Sequence, residues 1–158
     1  MILYLDCSSG ASGDMLAAAL LDVAGAQPGE EGPLERLVAP ALKAAGIDPR
    51  LVRIERTTRG GVGALAFRVA DAPGFATFDE LILAMYASGV DAGVADVVAA
   101  VAQRMAAAES EVHGEDAVHL HELSGVDTAV DLISVAVLMR HLAPERVMAS
   151  PPALGDGT

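Results

Sequence analysis

Apolar and polar positions alternate along the chain in blocks that predict strands and helices. Residues 2–7 form a short apolar run that ends in turn residues, which is typical of a buried strand. Residues 13–24 are apolar almost all round and follow Ser12, a good helix N-cap, so they predict a buried helix. Residues 33–42 carry apolar side chains at helical spacing, and Pro40 should bend or split that helix.

The middle of the chain predicts a hairpin followed by two helices. Residues 51–57 and 64–69 alternate apolar and polar positions on either side of a glycine-rich segment, as the two strands of a hairpin do. Thr77 and Glu80 have the spacing of a capping box that opens a short helix. Residues 91–112 carry one long apolar stripe at helical spacing, which predicts the longest helix.

The last elements complete the predicted fold. Ser124 is placed to cap a helix that runs to about Arg140, and residues 147–150 predict a short strand. The order of these elements predicts a single α/β domain over residues 1–158. We expect a small mixed sheet of about four strands, with the first and last strands adjacent, packed with about five helices.

The amino-acid composition excludes several classes of function. Hydrophobic residues make up 53% of the chain and aromatic residues only 3%, so the core must be aliphatic. The net charge of −12 argues against a nucleic-acid partner, because phosphate backbones are bound by clustered lysine and arginine. One cysteine excludes an intrachain disulfide and indicates a cytoplasmic protein. No apolar segment reaches the roughly 20 residues that span a bilayer, so we expect no membrane partner.

The first candidate site is a cluster of histidines and carboxylates. In an extended segment His119 and His121 point to the same side, and Glu122 follows them. Asp127 and Asp131 lie four residues apart, so they share a helix face and repel each other unless a cation is present. Imidazole and carboxylate together suit nickel, zinc, manganese or iron. The alternative is that the histidines are ordinary loop residues and Asp127 only caps the helix.

The second candidate site is the loop between the first strand and the first helix. Free backbone N–H groups at a helix start attract phosphate, and glycine allows a close approach. Two carboxylates flank the loop, which favours a bridging Mg²⁺. The residues of this predicted phosphate and Mg²⁺ loop are Asp6, Ser9, Gly10, Ser12, Gly13 and Asp14. The alternative is a plain helix cap at Ser12, with Asp14 complementing the helix dipole. The loop lacks the lysine of a Walker A motif.

Four arginines stand out in this acidic chain because they all fall in the predicted hairpin: Arg53, Arg56, Arg59 and Arg68. They form either a solvated basic face or a contact with a phosphorylated ligand.

Several segments together carry a family resemblance. Residues 3–15 (LYLDCSSGASGDM) resemble the start of the LarC family of nickel insertion proteins. Residues 107–114 (AAESEVHG) are similar to the family's run ending in Val-His-Gly, and residues 118–131 are similar to its Val-His-x-His-Glu…Val-Asp…Asp signature. Residues 150–157 (SPPALGDG) resemble the stretch that follows.

The resemblance implies nickel insertion into a pyridinium mononucleotide that carries two thiocarboxylates, during biosynthesis of a nickel-pincer cofactor. It implies lyase-type chelatase chemistry with Ni²⁺, and with CTP and Mg²⁺ or Mn²⁺. The family's histidine-rich middle segment has no counterpart in residues 71–80. Because family proteins extend further, we expect this chain to be the N-terminal part or a shortened homologue. The expected partners are a small phosphorylated mononucleotide, a separate distal-domain chain and further copies in a homo-oligomer.

Three functions remain open on the sequence alone. The chain is a nickel insertion enzyme or its N-terminal part, a non-catalytic divalent-metal-binding module that needs a partner chain, or a Mg²⁺-dependent nucleotide or phosphate enzyme. The sequence identifies no catalytic residue.

Overall fold

The computed structural model describes residues 1–113 and 125–153. Over these residues it contains four strands, five α-helices and two shorter helical turns, which confirms the predicted α/β class. In chain order the elements are β1 (Ile2–Leu5), α1 (Gly13–Val23), a π-helical turn (Leu34–Val38), α2 (Ala39–Ala44), a 3₁₀ turn (Pro49–Leu51), β2 (Val52–Arg59), β3 (Val62–Val69), α3 (Phe78–Ala87), α4 (Ala92–His113), α5 (Val126–Leu142) and β4 (Arg146–Ala149).

The strands form two pairs. β1 lies parallel to β4, with Ile2 opposite Arg146, so the predicted adjacency of the first and last strands is confirmed. β2 and β3 form the predicted antiparallel hairpin around a turn at residues 60–61. Each pair is a separate two-stranded sheet in the part of the chain that the structure describes.

Helix α5 lies at the centre of the core. Helices α1, α2 and α4 and the π-helical turn all pack against it, and its Val130, Ile133 and Leu138 are fully buried. Leu20 and Leu21 of α1 are equally buried. The core is mainly aliphatic, with Phe67 as an aromatic member, in line with the shortage of aromatic residues in the sequence. Helix α5 is therefore a rigid base for any polar side chain that it carries.

Two predicted helix boundaries are confirmed by their chemistry. Pro40 lies in the first turn of α2, directly after the π-helical turn, so the helix is split where proline lacks an N–H. Thr77 caps α3, because its hydroxyl oxygen accepts a hydrogen bond from the Glu80 N–H at 3.1 Å. The Glu80 carboxylate accepts the N–H of Ala76 at 2.9 Å, one residue before the cap, so the Thr77 half of the predicted capping box is confirmed and the Glu80 half is shifted by one residue.

The predicted start of α5 is wrong by one residue. The helix begins at Val126 with Gly125 at the N-cap, whereas the sequence placed the cap at Ser124. The carboxylate of Asp127 folds back over residue 125, and a Cβ there would lie 3.3 Å from its Cγ and closer still to one oxygen. Glycine leaves room for that carboxylate. Among the described residues, no helix combines the length and apolar character that crossing a membrane requires.

Candidate functional site

The start of α1 and the middle of α5 meet at Gly13 and Asp131. A Cβ built on residue 13 would lie 2.7 Å from the Asp131 Cβ and 2.9 Å from its Cγ, so only glycine allows this approach. The two segments that the sequence singled out as separate candidate sites therefore touch. The loop supplies the helix start, and the acidic cluster supplies the side chain against it.

The carboxylate of Asp131 has fewer hydrogen-bond donors than a buried carboxylate needs. The backbone N–H of Asp14 donates a hydrogen bond to its carboxylate, but the other oxygen, Oδ1, is buried and has no hydrogen-bond partner among the described residues. Burial, and after it the negative charges of Asp14 and Asp127, together raise the pKa of Asp131 from 3.8 to about 7. A carboxylate with one bare buried oxygen and two acidic neighbours is a place where a cation would be stabilised.

The two neighbouring carboxylates have different surroundings. Asp14 is half-buried, and its Oδ1 accepts hydrogen bonds from the Ser12 hydroxyl and, at 2.8 Å, from the Met15 N–H. Ser12 therefore lies at the N-cap position but makes no side-chain bond to the helix backbone. Asp127 is exposed in the first turn of α5 and borders a cavity of about 500 Å³. The negative charges of both residues act on Asp131, whose buried Oδ1 has no partner among the described residues.

Ser134 adds a second buried polar atom to the same stretch of helix. Its side chain is fully buried, and its Oγ has no partner among the described residues. It lies three residues after Asp131, so both fall on one helix ridge. The sequence signal for it was the spacing of polar positions in an otherwise apolar helix, but Ser134 was not among the predicted site residues.

Asp6 of the predicted loop directly follows β1, and its charge is not among those that raise the pKa of Asp131. Its Oδ1 accepts a hydrogen bond from the Ser8 N–H at 3.0 Å and faces the Ser150 hydroxyl at 3.4 Å. Hydrogen bonds from Ser8, chiefly, and from Ser150 hold its pKa below the usual value. Ser150 also accepts the Cys7 N–H at 2.7 Å, so it joins the ends of β1 and β4. Sequence reasoning missed this role, which depends on the pairing of those strands.

The loop uses several of its own N–H groups internally. The Gly10 N–H donates to the Cys7 carbonyl at 3.0 Å, and Gly10 has a φ of +92°, which glycine adopts without strain. Ser9 is exposed. At the helix start, the N–H groups of Asp14 and Met15 already point at carboxylates. The predicted phosphate contact at this loop stays a prediction, and at the helix start an anion would meet negative charge.

The remaining predicted metal ligands, His119, His121 and Glu122, lie outside the described residues. Within residues 1–113 and 125–153, no three His, Cys, Asp or Glu side chains are grouped closely enough to hold a metal ion. The described carboxylates therefore supply at most part of a metal centre. The segment that carries the two histidines directly precedes Gly125 in the chain, where α5 begins.

The four hairpin arginines separate into paired and unpaired residues. Arg56 contacts Asp22 at 3.0 Å, and Arg68 contacts Glu55 at 3.1 Å. Arg53 and Arg59 are exposed and form no ion pair with any described residue.

Comparison with known proteins places this arrangement in a family. The family model described as "Nickel insertion protein" matches residues 3–158. The chain belongs to the nickel insertion protein family. The identification rests on almost the whole chain and includes both the loop and the acidic cluster, and it confirms the resemblance seen in the motifs.

Individual relatives match over nearly all of this chain. One from Pelobacter propionicus is 36% identical over 99% of the chain and 39% of the relative. One from Geobacter metallireducens is 32% identical, with 99% and 40% covered. A relative from a Nocardioides species is 33% identical, with 98% and 38% covered, and is named pyridinium-3,5-bisthiocarboxylic acid mononucleotide nickel insertion protein. The chain thus spans about two fifths of the length of these relatives. No solved structure matches it.

Proposed function

We propose that this chain holds nickel for insertion into a pyridinium thiocarboxylate mononucleotide, as the N-terminal part of that machinery. Nickel is the cargo of this reaction. The observation that carries the proposal is Asp131, whose buried Oδ1 has no partner in the described residues while Asp14 and Asp127 concentrate negative charge around it. The substrate class comes from the name of the Nocardioides relative.

The donor set is the one that suits a divalent metal of borderline softness. We assign His119, His121 and Glu122 to the centre together with Asp127 and Asp131. Neutral imidazole is a good ligand for nickel, and carboxylates balance its charge. The apolar surroundings that shield Asp131 from water would also keep water from competing for the bound ion. The role of this chain in the reaction would be to present the ion and then to release it to sulfur ligands.

Replacement of both histidines tests the assignment. The wild-type chain should bind about one Ni²⁺ in a calorimetric titration, and His119→Ala/His121→Ala should weaken the affinity at least 100-fold because two ligands are lost. His141→Ala is the matched control, since His141 is exposed in the last turn of α5 and outside the cluster. Equal affinities in the double variant and the control would contradict the assignment.

The CTP-dependent part of the reaction, with Mg²⁺ or Mn²⁺, remains a separate proposal. Its local support is Asp6, an exposed carboxylate with a lowered pKa at the end of β1. Such a group suits a hydrated Mg²⁺, which prefers one or two carboxylates and several waters. We propose that turnover needs the remainder of the family polypeptide, in the same chain or in a partner. The chain alone would then bind nickel without turnover, and adding that remainder with CTP should start insertion.

A further inference from the structure

A groove runs between helix α1 and the hairpin, with a volume of about 720 Å³. That volume falls in the range of small-molecule sites. Small side chains form part of its lining, and we call this part the alanine floor: Ala19 on α1 and Ala64 and Ala66 on β3. Two large apolar side chains on α1, Met15 and Val23, border it and are more than half exposed. A flat apolar group could lie on this floor between them.

The charges that line the groove are not equivalent. Asp22 and Arg68 are each held in an ion pair, with Arg56 and Glu55 respectively. Arg59 also lines the groove but is exposed and has no ion pair with any described residue. An arginine that has no carboxylate partner in the part of the chain the structure describes, within a protein of net charge −12, is a ready site for an incoming anion.

The groove also reaches the candidate nickel site. Asp14 lines it, and the N–H of the same residue donates to the Asp131 carboxylate. The start of α1, the other place for an anion, has its N–H groups directed at carboxylates. A ligand in the groove would therefore have its anionic group favoured at Arg59 and another part of it close to Asp14.

We propose that this groove binds the mononucleotide substrate, with the phosphate on Arg59 and the pyridinium ring on the alanine floor beside Asp14. The identity of the ligand rests on the proposed function, but the position of the groove does not. The positive pyridinium nitrogen suits a position beside Asp14, the two thiocarboxylates would be turned toward the nickel ion proposed at Asp131, and the dianionic phosphate suits Arg59. Arg59 is thus a binding residue for the substrate phosphate.

The test uses pyridinium-3-carboxylic acid mononucleotide as the probe, titrated by calorimetry at low ionic strength because exposed charges are screened by salt. Arg59→Ala should weaken binding about tenfold, as expected for the loss of one charge-assisted hydrogen bond. Arg53→Ala is the matched control. Arg53 lies on the same face of the hairpin, is also exposed without an ion pair in the described residues, and does not line the groove. It should leave the affinity unchanged.

A second arm removes the phosphate from the probe. The corresponding pyridinium nucleoside should bind wild type and Arg59→Ala equally, because the group that Arg59 contacts is gone. Ala19→Phe, which fills the groove from an exposed position on α1, should weaken both probes, whereas Ala100→Phe on the exposed face of α4 should weaken neither. These arms separate a phosphate contact from a general effect of charge or bulk.

Two results would overturn the groove assignment: no binding of the mononucleotide to the wild-type chain, or equal losses in Arg59→Ala and Arg53→Ala. A parallel titration with Ni²⁺ tests the proposed nickel binding separately from the groove. Arg59→Ala should bind Ni²⁺ as wild type does. If the wild-type chain binds the mononucleotide through Arg59 but binds no Ni²⁺, the groove stands and the nickel proposal fails.

Discussion

Asp6 and Asp131 are both carboxylates that the sequence predicted beside a cation, Asp6 in the Mg²⁺ and phosphate loop and Asp131 in the metal centre, yet the fold treats them in opposite ways. Asp6 is exposed, accepts a hydrogen bond from Ser8, faces the Ser150 hydroxyl, and has a lowered pKa. Asp131 is half-buried between two other carboxylates, has one bare oxygen, and has a pKa raised to about 7. The protein supplies hydrogen-bond donors to Asp6, whereas one oxygen of Asp131 has no donor among the described residues and is open to a bound ion.

The difference indicates which of the two is built for a metal. A surface carboxylate with its own hydrogen-bond donors gains little from binding a metal ion directly, because water and the protein already stabilise its charge, although it can still hold a hydrated Mg²⁺ through water. A shielded carboxylate with one oxygen that lacks a donor gains much more. The comparison therefore predicts that nickel binding depends on Asp131 and hardly on Asp6.

The largest expected effect is on metal affinity. Asp131→Asn should weaken Ni²⁺ binding about 100-fold, because the variant removes a charged ligand from a site where water is partly excluded. Asp6→Asn should change the affinity less than threefold. Calorimetric titration of both variants with Ni²⁺ measures the contrast, and equal losses in the two variants would remove the distinction between the two carboxylates.

The next effect is on the contact that brings the two segments together. Gly13→Ala should lower the free energy of unfolding by about 1–3 kcal/mol, because the added methyl group overlaps Asp131. Gly63→Ala is the control, since a Cβ there meets no atom within 4 Å. Urea unfolding of both variants checks this. An unchanged midpoint in Gly13→Ala would mean that α1 and α5 do not meet as described.

The raised pKa of Asp131 should make the stability of the metal-free protein depend on pH. Folding raises its pKa from 3.8 to about 7, so the folded state binds more protons between these values and stability falls as pH rises through them. Asp131→Asn escapes this loss. With allowance for partial exposure, we expect it to be more stable than wild type by about 1–2 kcal/mol at pH 8 and equal to it below about pH 4.

Asp6→Asn should show the opposite sign. The stabilisation from its lowered pKa is present above the unfolded value of 3.8 and is lost as pH falls through the folded value. Thermal unfolding of wild type and both variants from pH 3 to pH 8 compares them. If Asp131→Asn is less stable than wild type at pH 8, the ionised Asp131 carboxylate does not destabilise the metal-free protein, and this interpretation is wrong.

The smallest expected effect concerns the joint between β1 and β4. Ser150→Ala removes the acceptor of the Cys7 N–H and should lower stability by about 1 kcal/mol. Ser9→Ala, at an exposed loop position, should have no effect. Metal affinity should be unchanged in both variants, and a loss of nickel binding in Ser150→Ala would show that the Asp6 region takes part after all.

The elements of the fold followed from local patterns in the sequence. The split at Pro40, the cap at Thr77 and the long stripe of α4 depend on neighbouring residues, and all three were predicted. The start of α5 was not, because the return of the Asp127 carboxylate over Gly125 depends on a conformation that no spacing rule describes.

The sequence identified the acidic residues of the candidate site, but it did not show which of them lie close together. The sequence placed Asp131 and Asp127 on one helix face as a pair that repels unless a cation is present, and the structure adds the contact of Asp131 with Gly13. That contact joins positions more than a hundred residues apart, and so does the link between Asp6 and Ser150. The contrast between Asp6 and Asp131 could not be predicted because it depends on burial and on long-range partners.

The most direct test of the central claim is a crystal of the chain soaked with Ni²⁺ and measured at the nickel absorption edge. The account predicts an anomalous peak about 2.1 Å from a carboxylate oxygen of Asp131, the usual distance for such a metal–oxygen bond. It also predicts that imidazole nitrogens of His119 and His121 lie at a similar distance. A peak at Asp6 alone, or a peak bound by the histidines with Asp131 remote from it, would contradict the account.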